Sequence, residues 1–368
     1  MNERERLLAV LNGRKPDRTP WYADLSYLLF SLEQRGALPE QYKGEEGYIT
    51  FHRDQGAGAC FYYDAQLWDT SYTGGVAYSE TRDGDIKTCV FTTPRGSLVS
   101  RQKYLESSFS WAYVEHFVKN FDDLKLMLYI HEHTVYTANF APYNQIDALW
   151  NGDGILTATP PICAAPLQKL LTRWAGVETS IMLFMEDDDT FEKICRDMQD
   201  SEDEAFDILA ASDAQYVEFA ENLSSEVTGR ALFERFNQGY YERRTSELRA
   251  AGKFCGIHID GTLEPCLGML KSCGFDVAEA ITPAPSGVVE PERLREAAGE
   301  GIILWGGLPG LIFTDYFREE QFVSYVKRIL ELFPPDSGFV LGVGDQVPPD
   351  CVFSRVRLVR DIVDEYGS

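Results

Sequence analysis

His258 and Asp260 are the residues of this sequence best placed to do chemistry. They lie near the end of the stretch 254–261, which is typical of a short buried strand. Side chains two residues apart on a strand point to the same face, so both can reach one small volume. An imidazole and a carboxylate can together bind a metal ion or exchange a proton with a bound molecule. We therefore expect the active site at the end of this strand.

The strand belongs to a regular alternation of strands and helices in the second half of the chain. Strand-like runs separated by helical ones lie at 154–159, 215–222, 254–260, 275–285, 301–310 and 338–350. Such an alternation indicates parallel strands joined by helical crossovers. An early strand within 18–26 brings the count close to eight, so we predict an α/β fold, a (β/α)8 TIM barrel.

Two further features complete the predicted architecture. Residues 2–12 have the pattern of an amphipathic helix, which gives an N-terminal helical extension. Residues 75–112 contain short β-rich runs separated by Asp-Gly and Pro-Arg-Gly turns, which is typical of antiparallel strands. We expect a β-rich insertion there, within a single TIM-barrel domain that spans residues 1–368.

The predicted strand ends supply the remaining candidates, because barrel enzymes build their sites at the C-terminal ends of the strands. Asp24 joins His258 and Asp260 as a candidate catalytic residue. The candidate substrate-binding residues are Glu221, Asn222, Asn237, Asp345, Tyr22 and Trp305. A helix cap or a loop-ordering role is the alternative for Asp24 and Asp345.

Composition and charge exclude several classes of partner. The chain has 58 acidic and 34 basic residues and a net charge of −24, which disfavours nucleic acids and anionic membranes. No run reaches the roughly 18 apolar residues of a membrane helix. The charged N-terminus lacks the apolar core of a signal peptide. We therefore expect a cytoplasmic protein with reduced thiols.

The strand ends resemble those of the uroporphyrinogen decarboxylase superfamily, which includes cobalamin-dependent methyltransferases. The similar segments are RTPWYADLS, TTPRGSL, GIHIDG, WGGLP and VLGVGDQVPPD. The resemblance implies methyl transfer from a methyl ether, methanol or a methylamine to a corrinoid. A partner protein would carry that cofactor, since no D-x-H-x-x-G motif occurs here. Porphyrinogen decarboxylation is disfavoured, because the arginine-rich loop of true decarboxylases is reduced here to Arg35.

The resemblance also suggests where a zinc ion could bind. One methyltransferase branch uses His-x-Cys and a later Cys, but Asp260 and Val343 occupy the cysteine positions here. The O-demethylating branch uses E-x14-E-x20-H, and the matching residues are Asn222, Asn237 and His258. Neutral amides are poor zinc ligands. We therefore expect a hydrogen-bonding pocket rather than tight zinc, with these three residues as the metal candidates.

In that metal-free pocket His258 would be the proton donor for the departing oxygen of a methyl ether. Two alternatives stay open: a metal-free decarboxylase of a small carboxylic acid, and a non-catalytic ligand-binding paralogue. A purely structural role for His258 is the remaining interpretation.

Overall fold

A computed structural model of the protein describes residues 1–163 and 165–368. The strands are β1 Trp21–Asp24, β2 Trp68–Tyr72, β3 Ala77–Asp83, β4 Ile86–Thr93, β5 Gly96–Leu105, β6 Ser110–Glu115, β7 Thr134–Ala138, β8 Thr157–Ala158, β9 Tyr216–Leu223, β10 Phe254–Ile259, β11 Val277–Ile281, β12 Ile303–Pro309 and β13 Phe339–Gln346. The α-helices are α1 Glu3–Leu11, α2 Ser26–Gln34, α3 Gly44–Gln55, α4 Phe121–Glu132, α5 Ala141–Trp150, α6 Pro166–Lys169, α7 Gly176–Glu186, α8 Asp188–Asp200, α9 Asp203–Ala211, α10 Gly229–Leu232, α11 Gln238–Ala250, α12 Leu294–Ala298, α13 Glu319–Leu332 and α14 Ser354–Tyr366.

Short helical turns connect several of these elements. The 3-10 turns are Glu40–Tyr42, Pro161–Cys163, Cys266–Met269, Lys271–Cys273, Pro291–Arg293 and Gly310–Phe313, and the π turns are Leu170–Trp174 and Phe233–Asn237. Within the described ranges, no helix has both the length and the apolar character that a membrane crossing requires.

A curled sheet of parallel strands forms the centre of the fold, in the order β1-β13-β12-β11-β10-β9-β8. The extended segment 58–60 connects its two edges. Gly58 N donates to Trp21 O at 2.9 Å on one side, and Ala59 N donates to Asp153 O at 3.0 Å on the other. The predicted TIM-like barrel is thereby confirmed, with this short segment in place of a full strand.

Gly58 explains how the segment fits so closely. A Cβ at this position would lie 2.7 Å from the Tyr22 ring, and real Cβ contacts are longer than that. Only glycine therefore lets the backbone approach β1 here.

The N-terminal helix covers the N-terminal end of the barrel. Asn2 caps α1, since its side chain accepts from Glu5 N at 2.8 Å while Glu5 accepts from Asn2 N at 2.9 Å. The apolar face of α1 packs against side chains from the first residues of several barrel strands; this cluster includes Leu7, Val10, Leu11, Tyr22, Tyr216, Val277, Trp305 and Val340. The predicted helical extension is confirmed.

The predicted β-rich insertion is also confirmed. Strands β3 to β6 form an antiparallel four-stranded sheet, and β2 pairs with β7 in a separate antiparallel ribbon. Phe91 of β4 packs on Trp174, with ring centroids 5.6 Å apart. The insertion thus lies beside the π turn Leu170–Trp174, where it walls one side of the cavity described next.

Candidate active site

A cavity of about 650 Å³ lies at the C-terminal ends of the barrel strands. The ionisable and amide side chains that line it from these strand ends are Asp24, Glu218, Asn222, His258, Glu279, Asp345 and Gln346. Aromatic rings supply much of the remaining wall: Phe61, Tyr62, Tyr63, Trp68, Tyr72, Phe91, Tyr136 and Trp174. A largely apolar cavity of this size with a few convergent polar groups is typical of a small-molecule site.

Glu218, His258 and Glu279 form the most concentrated polar group in the cavity. They project from the adjacent strands β9, β10 and β11, where His258 pairs in register with Glu279. His258 Nδ1 lies 2.7 Å from Glu279 Oε2. Glu218 is fully buried, and its Oε2 accepts from Tyr216 OH at 2.8 Å. One imidazole is therefore held between two buried carboxyl groups.

The cluster shifts the protonation of its members. Burial raises the pKa of Glu218 well above its usual value, and the neighbouring Glu279 adds to the rise. Burial alone would lower the pKa of His258, but the charge and hydrogen bond of Glu279 outweigh it and raise the pKa to about 10. Burial, with Asp260 and Glu279 nearby, raises the pKa of Asp345 to about 6 against the opposing effect of His258. In the metal-free protein His258 is therefore an imidazolium at neutral pH.

The same three residues suit a zinc ion. One nitrogen or oxygen atom from each lies within 4.8 Å of the others. Ligand atoms around tetrahedral zinc lie about 3.3 Å apart, so modest side-chain rotation would close the set. Glu218 Oε1 is buried and accepts no hydrogen bond from any described residue, which is the unsatisfied acceptor that a cation would use. The donor set fits the metal chemically.

The structure brings only some of the predicted residues together. Asn222 lines the cavity with His258, whereas Asn237 is not among the lining residues. Asn237 lies buried in the π turn Phe233–Asn237, and its Nδ2 donates to Tyr241 OH at 3.2 Å. The expected Asn222, Asn237 and His258 set is therefore not assembled around the cavity. Two glutamates, Glu218 and Glu279, surround His258 instead.

Of the four predicted carboxylates, two line the cavity and two do not. Asp24 and Asp345 line the cavity, and Asp24 also orders its surroundings by accepting from Tyr63 OH at 2.9 Å and from Ser26 N at 2.8 Å. Asp260 is exposed and accepts from Gly261 N at 2.6 Å. Glu221 is turned away from the cavity, and its Oε1 accepts from Ala165 N at 2.7 Å.

The two predicted aromatic residues lie at the opposite end of the barrel. Tyr22 and Trp305 pack on each other with ring centroids 5.2 Å apart, and Tyr22 OH donates to Glu3 O at 2.8 Å. Neither lines the cavity.

Neither Glu218 nor Glu279 is among the site residues predicted from the sequence. A signal was present for Glu279, because it is a carboxylate inside an otherwise apolar strand. Glu279 is the only charged residue of β11, VAEAI. A buried carboxylate needs a partner or a function.

Comparison with known proteins identifies a family and solved structures with a similar fold. Residues 163–366 match the model of the family described as uroporphyrinogen decarboxylase (URO-D). A methyltransferase from Methanosarcina mazei has a similar fold, with 15% sequence identity, coverage of 100% of this chain and 99% of that chain, and a TM-score of 0.63. A D-psicose 3-epimerase from Clostridium cellulolyticum H10 is 11% identical over 61% of this chain and 81% of that chain, with a TM-score of 0.34. None of the curated proteins matches the sequence significantly.

Proposed function

Because the chain belongs to the uroporphyrinogen decarboxylase family, we propose that it is a methyltransferase related to the corrinoid-dependent members of that superfamily. It moves a methyl group from a methylated small molecule, a methyl ether, methanol or a methylamine, to a corrinoid carried by a partner protein. The observation that carries the proposal is the Glu218–His258–Glu279 cluster at the end of an aromatic cavity.

His258 supplies what cleavage of a methyl ether needs from the protein. When the C–O bond breaks, the methyl group passes to the nucleophilic acceptor and the departing oxygen must gain a proton. Glu279 holds the Nδ1 side of His258 at 2.7 Å, and Nε2 has no hydrogen-bond partner among the described residues. The Nε2 proton passes to the oxygen, and solvent later returns a proton to the ring.

Glu218, His258 and Glu279 would hold a zinc ion if the protein binds one. When bound, zinc supplies a Lewis acid that stabilises negative charge on the departing oxygen. The residues then serve by orienting the substrate and by excluding water from the buried cluster.

The charge around His258 favours methyl transfer over decarboxylation. Asp24, Glu279 and Asp345 line this end of the cavity. A substrate carboxylate placed against His258 would meet these acidic groups at short range in a poorly solvated site, where repulsion is strong. A neutral or cationic methyl donor meets no such repulsion.

Free cob(I)alamin, generated by chemical reduction, serves as the acceptor in a test. The purified protein is incubated with methoxybenzoates, methanol and methylamines, and methylcobalamin formation is followed by absorbance. We expect transfer from at least one donor and a loss of about 100-fold or more in His258→Gln, the scale of general-acid catalysis. His133→Gln is the matched control, because His133 does not line the cavity. Absence of transfer from every donor, together with His258-dependent release of carbon dioxide from a small acid, would refute the proposal.

A further inference from the structure

The charge of the cavity lining is unevenly distributed. Its carboxylates gather around His258 at the barrel strand ends. Arg173 is the single lysine or arginine among the described lining residues. It lies in the π turn Leu170–Trp174 beside the β-rich insertion. The cavity thus has an acidic end and one cationic position on another part of its wall.

Arg173 has no charged partner among the described residues. Among residues 1–163 and 165–368 no carboxylate lies within 4.0 Å of its guanidinium group, although the chain forms many other arginine ion pairs. Its Nε is buried and lacks a hydrogen-bond partner within the part of the chain that the structure describes. A half-buried guanidinium without a counter-charge is costly in a protein that has acidic residues to spare.

Two neighbouring ring nitrogens also lack partners among the described residues. His131 and Trp174 also line the cavity and are 4% and 2% exposed, and their rings lie 5.3 Å apart. His131 Nε2 and Trp174 Nε1 are both buried with no hydrogen-bond partner in the described chain. Burial, with Lys169 and Arg173 nearby, lowers the pKa of His131 to about 3, so its ring is a neutral hydrogen-bonding group. Buried donors are normally satisfied.

We infer that Arg173, with His131 and Trp174, binds a carboxylate of the substrate. A guanidinium group pairs with a carboxylate through two parallel hydrogen bonds, and one guanidinium in so acidic a cavity matches a monoanion better than a phosphate. The aromatic rings that line the same cavity suit an apolar, ring-sized body. This inference rests on the proposed function, and it names the substrate class: a methoxylated aromatic carboxylate, or a compound of the same shape and charge.

The charge distribution also fixes how such a substrate lies. Its carboxylate is attracted to Arg173 and repelled by the acidic end. The methyl-bearing end is therefore directed to His258, where the bond is broken. Orientation of this kind raises the rate without any change in the reacting groups.

Binding of matched probe pairs tests the inference without any methyl acceptor. Calorimetry compares 2-, 3- and 4-methoxybenzoate with the corresponding methoxybenzamides, which have nearly the same shape and no charge. We expect at least one benzoate to bind the wild type about tenfold or more tighter than its amide, the usual scale for a charged hydrogen-bonded pair. Arg173→Gln should remove this preference and leave amide binding within about threefold, which also verifies that the variant is folded.

Arg196→Gln is the control, since Arg196 pairs with Glu192 on the surface; it should keep the preference. Equal binding of benzoates and amides by the wild type, failure of every benzoate to bind, or a preference that survives in Arg173→Gln would each overturn the inference. Different results would refute the methyltransferase proposal and the carboxylate site at Arg173. A carboxylate preference without methyl transfer refutes only the methyltransferase, and methyl transfer from donors without any carboxylate preference refutes only this subsite.

Discussion

Replacement of Glu279 by glutamine should change the protonation of His258 across the neutral range. The rise in the His258 pKa from 6.5 to about 10 corresponds to roughly 5 kcal/mol in favour of the imidazolium, at 1.36 kcal/mol per unit. Glu279 is the leading contributor to that rise, through its charge and its hydrogen bond, while burial acts in the opposite direction. In Glu279→Gln the charge that opposes the pKa-lowering effect of burial is removed. We therefore expect the pKa of His258 to fall by at least about two units.

The measurement is a titration of imidazole ¹⁵N shifts between pH 6 and 10 in chelator-treated protein with ¹⁵N-labelled histidine. The chain has five histidines, and His258→Gln identifies the relevant signal. Because the folded pKa is raised, this group stabilises the metal-free fold fully below about pH 6.5, and the contribution is lost as the pH rises through 10. The exposed Glu178→Gln is the matched control. A wild-type His258 that is neutral at pH 8, or an unchanged pKa in Glu279→Gln, would refute the reasoning.

Two further predictions concern buried charge outside the cavity. Burial raises the pKa of Glu221 to about 8. Its stabilising contribution is therefore complete below about pH 4.5 and is lost as the pH rises to 8. Relative to Glu221→Gln, the free energy of unfolding of the wild type should fall by up to roughly 1.4 kcal/mol per pH unit between pH 5 and 8. Urea unfolding at several pH values measures this, and parallel curves for the two proteins would contradict it. Lys169 and Glu202 form a fully buried ion pair, so Lys169→Met, which leaves Glu202 without its partner, should cost about 3–5 kcal/mol in the free energy of unfolding. The double variant K169M/E202L should recover most of that loss. A Lys169→Met protein as stable as the wild type would show that the two residues do not form a buried ion pair.

The barrel could be predicted from the sequence because its signal is repeated. Parallel strands buried on both faces are continuous apolar runs, and the helices between them have caps and a different period. His258 follows from the same pattern, since it ends such a run. The eighth position of the barrel could not be predicted, because three residues that include Gly58 carry too little pattern to indicate a strand.

The details of the site depend on backbone conformations that the sequence does not reveal. Asn222, Ala280 and Asp345 have φ values of 48°, 63° and 70°, so the alternation of side chains fails at the strand ends that build the site. Asp345 and Gln346 consequently both line the cavity, although regular alternation would separate them. Asn237 matches the E-x14-E-x20-H pattern of the O-demethylating branch, and such a match does not show that its side chain lies against Tyr241.

The three residues 58–60 also have a mechanical consequence. The neighbouring strands β12 and β13 are joined by a continuous ladder from Leu304 to Pro309, whereas this segment joins the edges of the sheet by only a few backbone hydrogen bonds. The barrel should therefore open more readily at this segment than between β12 and β13, because fewer bonds must break. Phe61, Tyr62 and Tyr63 follow directly and form part of the cavity wall. A small opening between the segment 58–60 and the adjacent strands would widen the cavity and let a flat ligand enter, while the rest of the barrel stays intact.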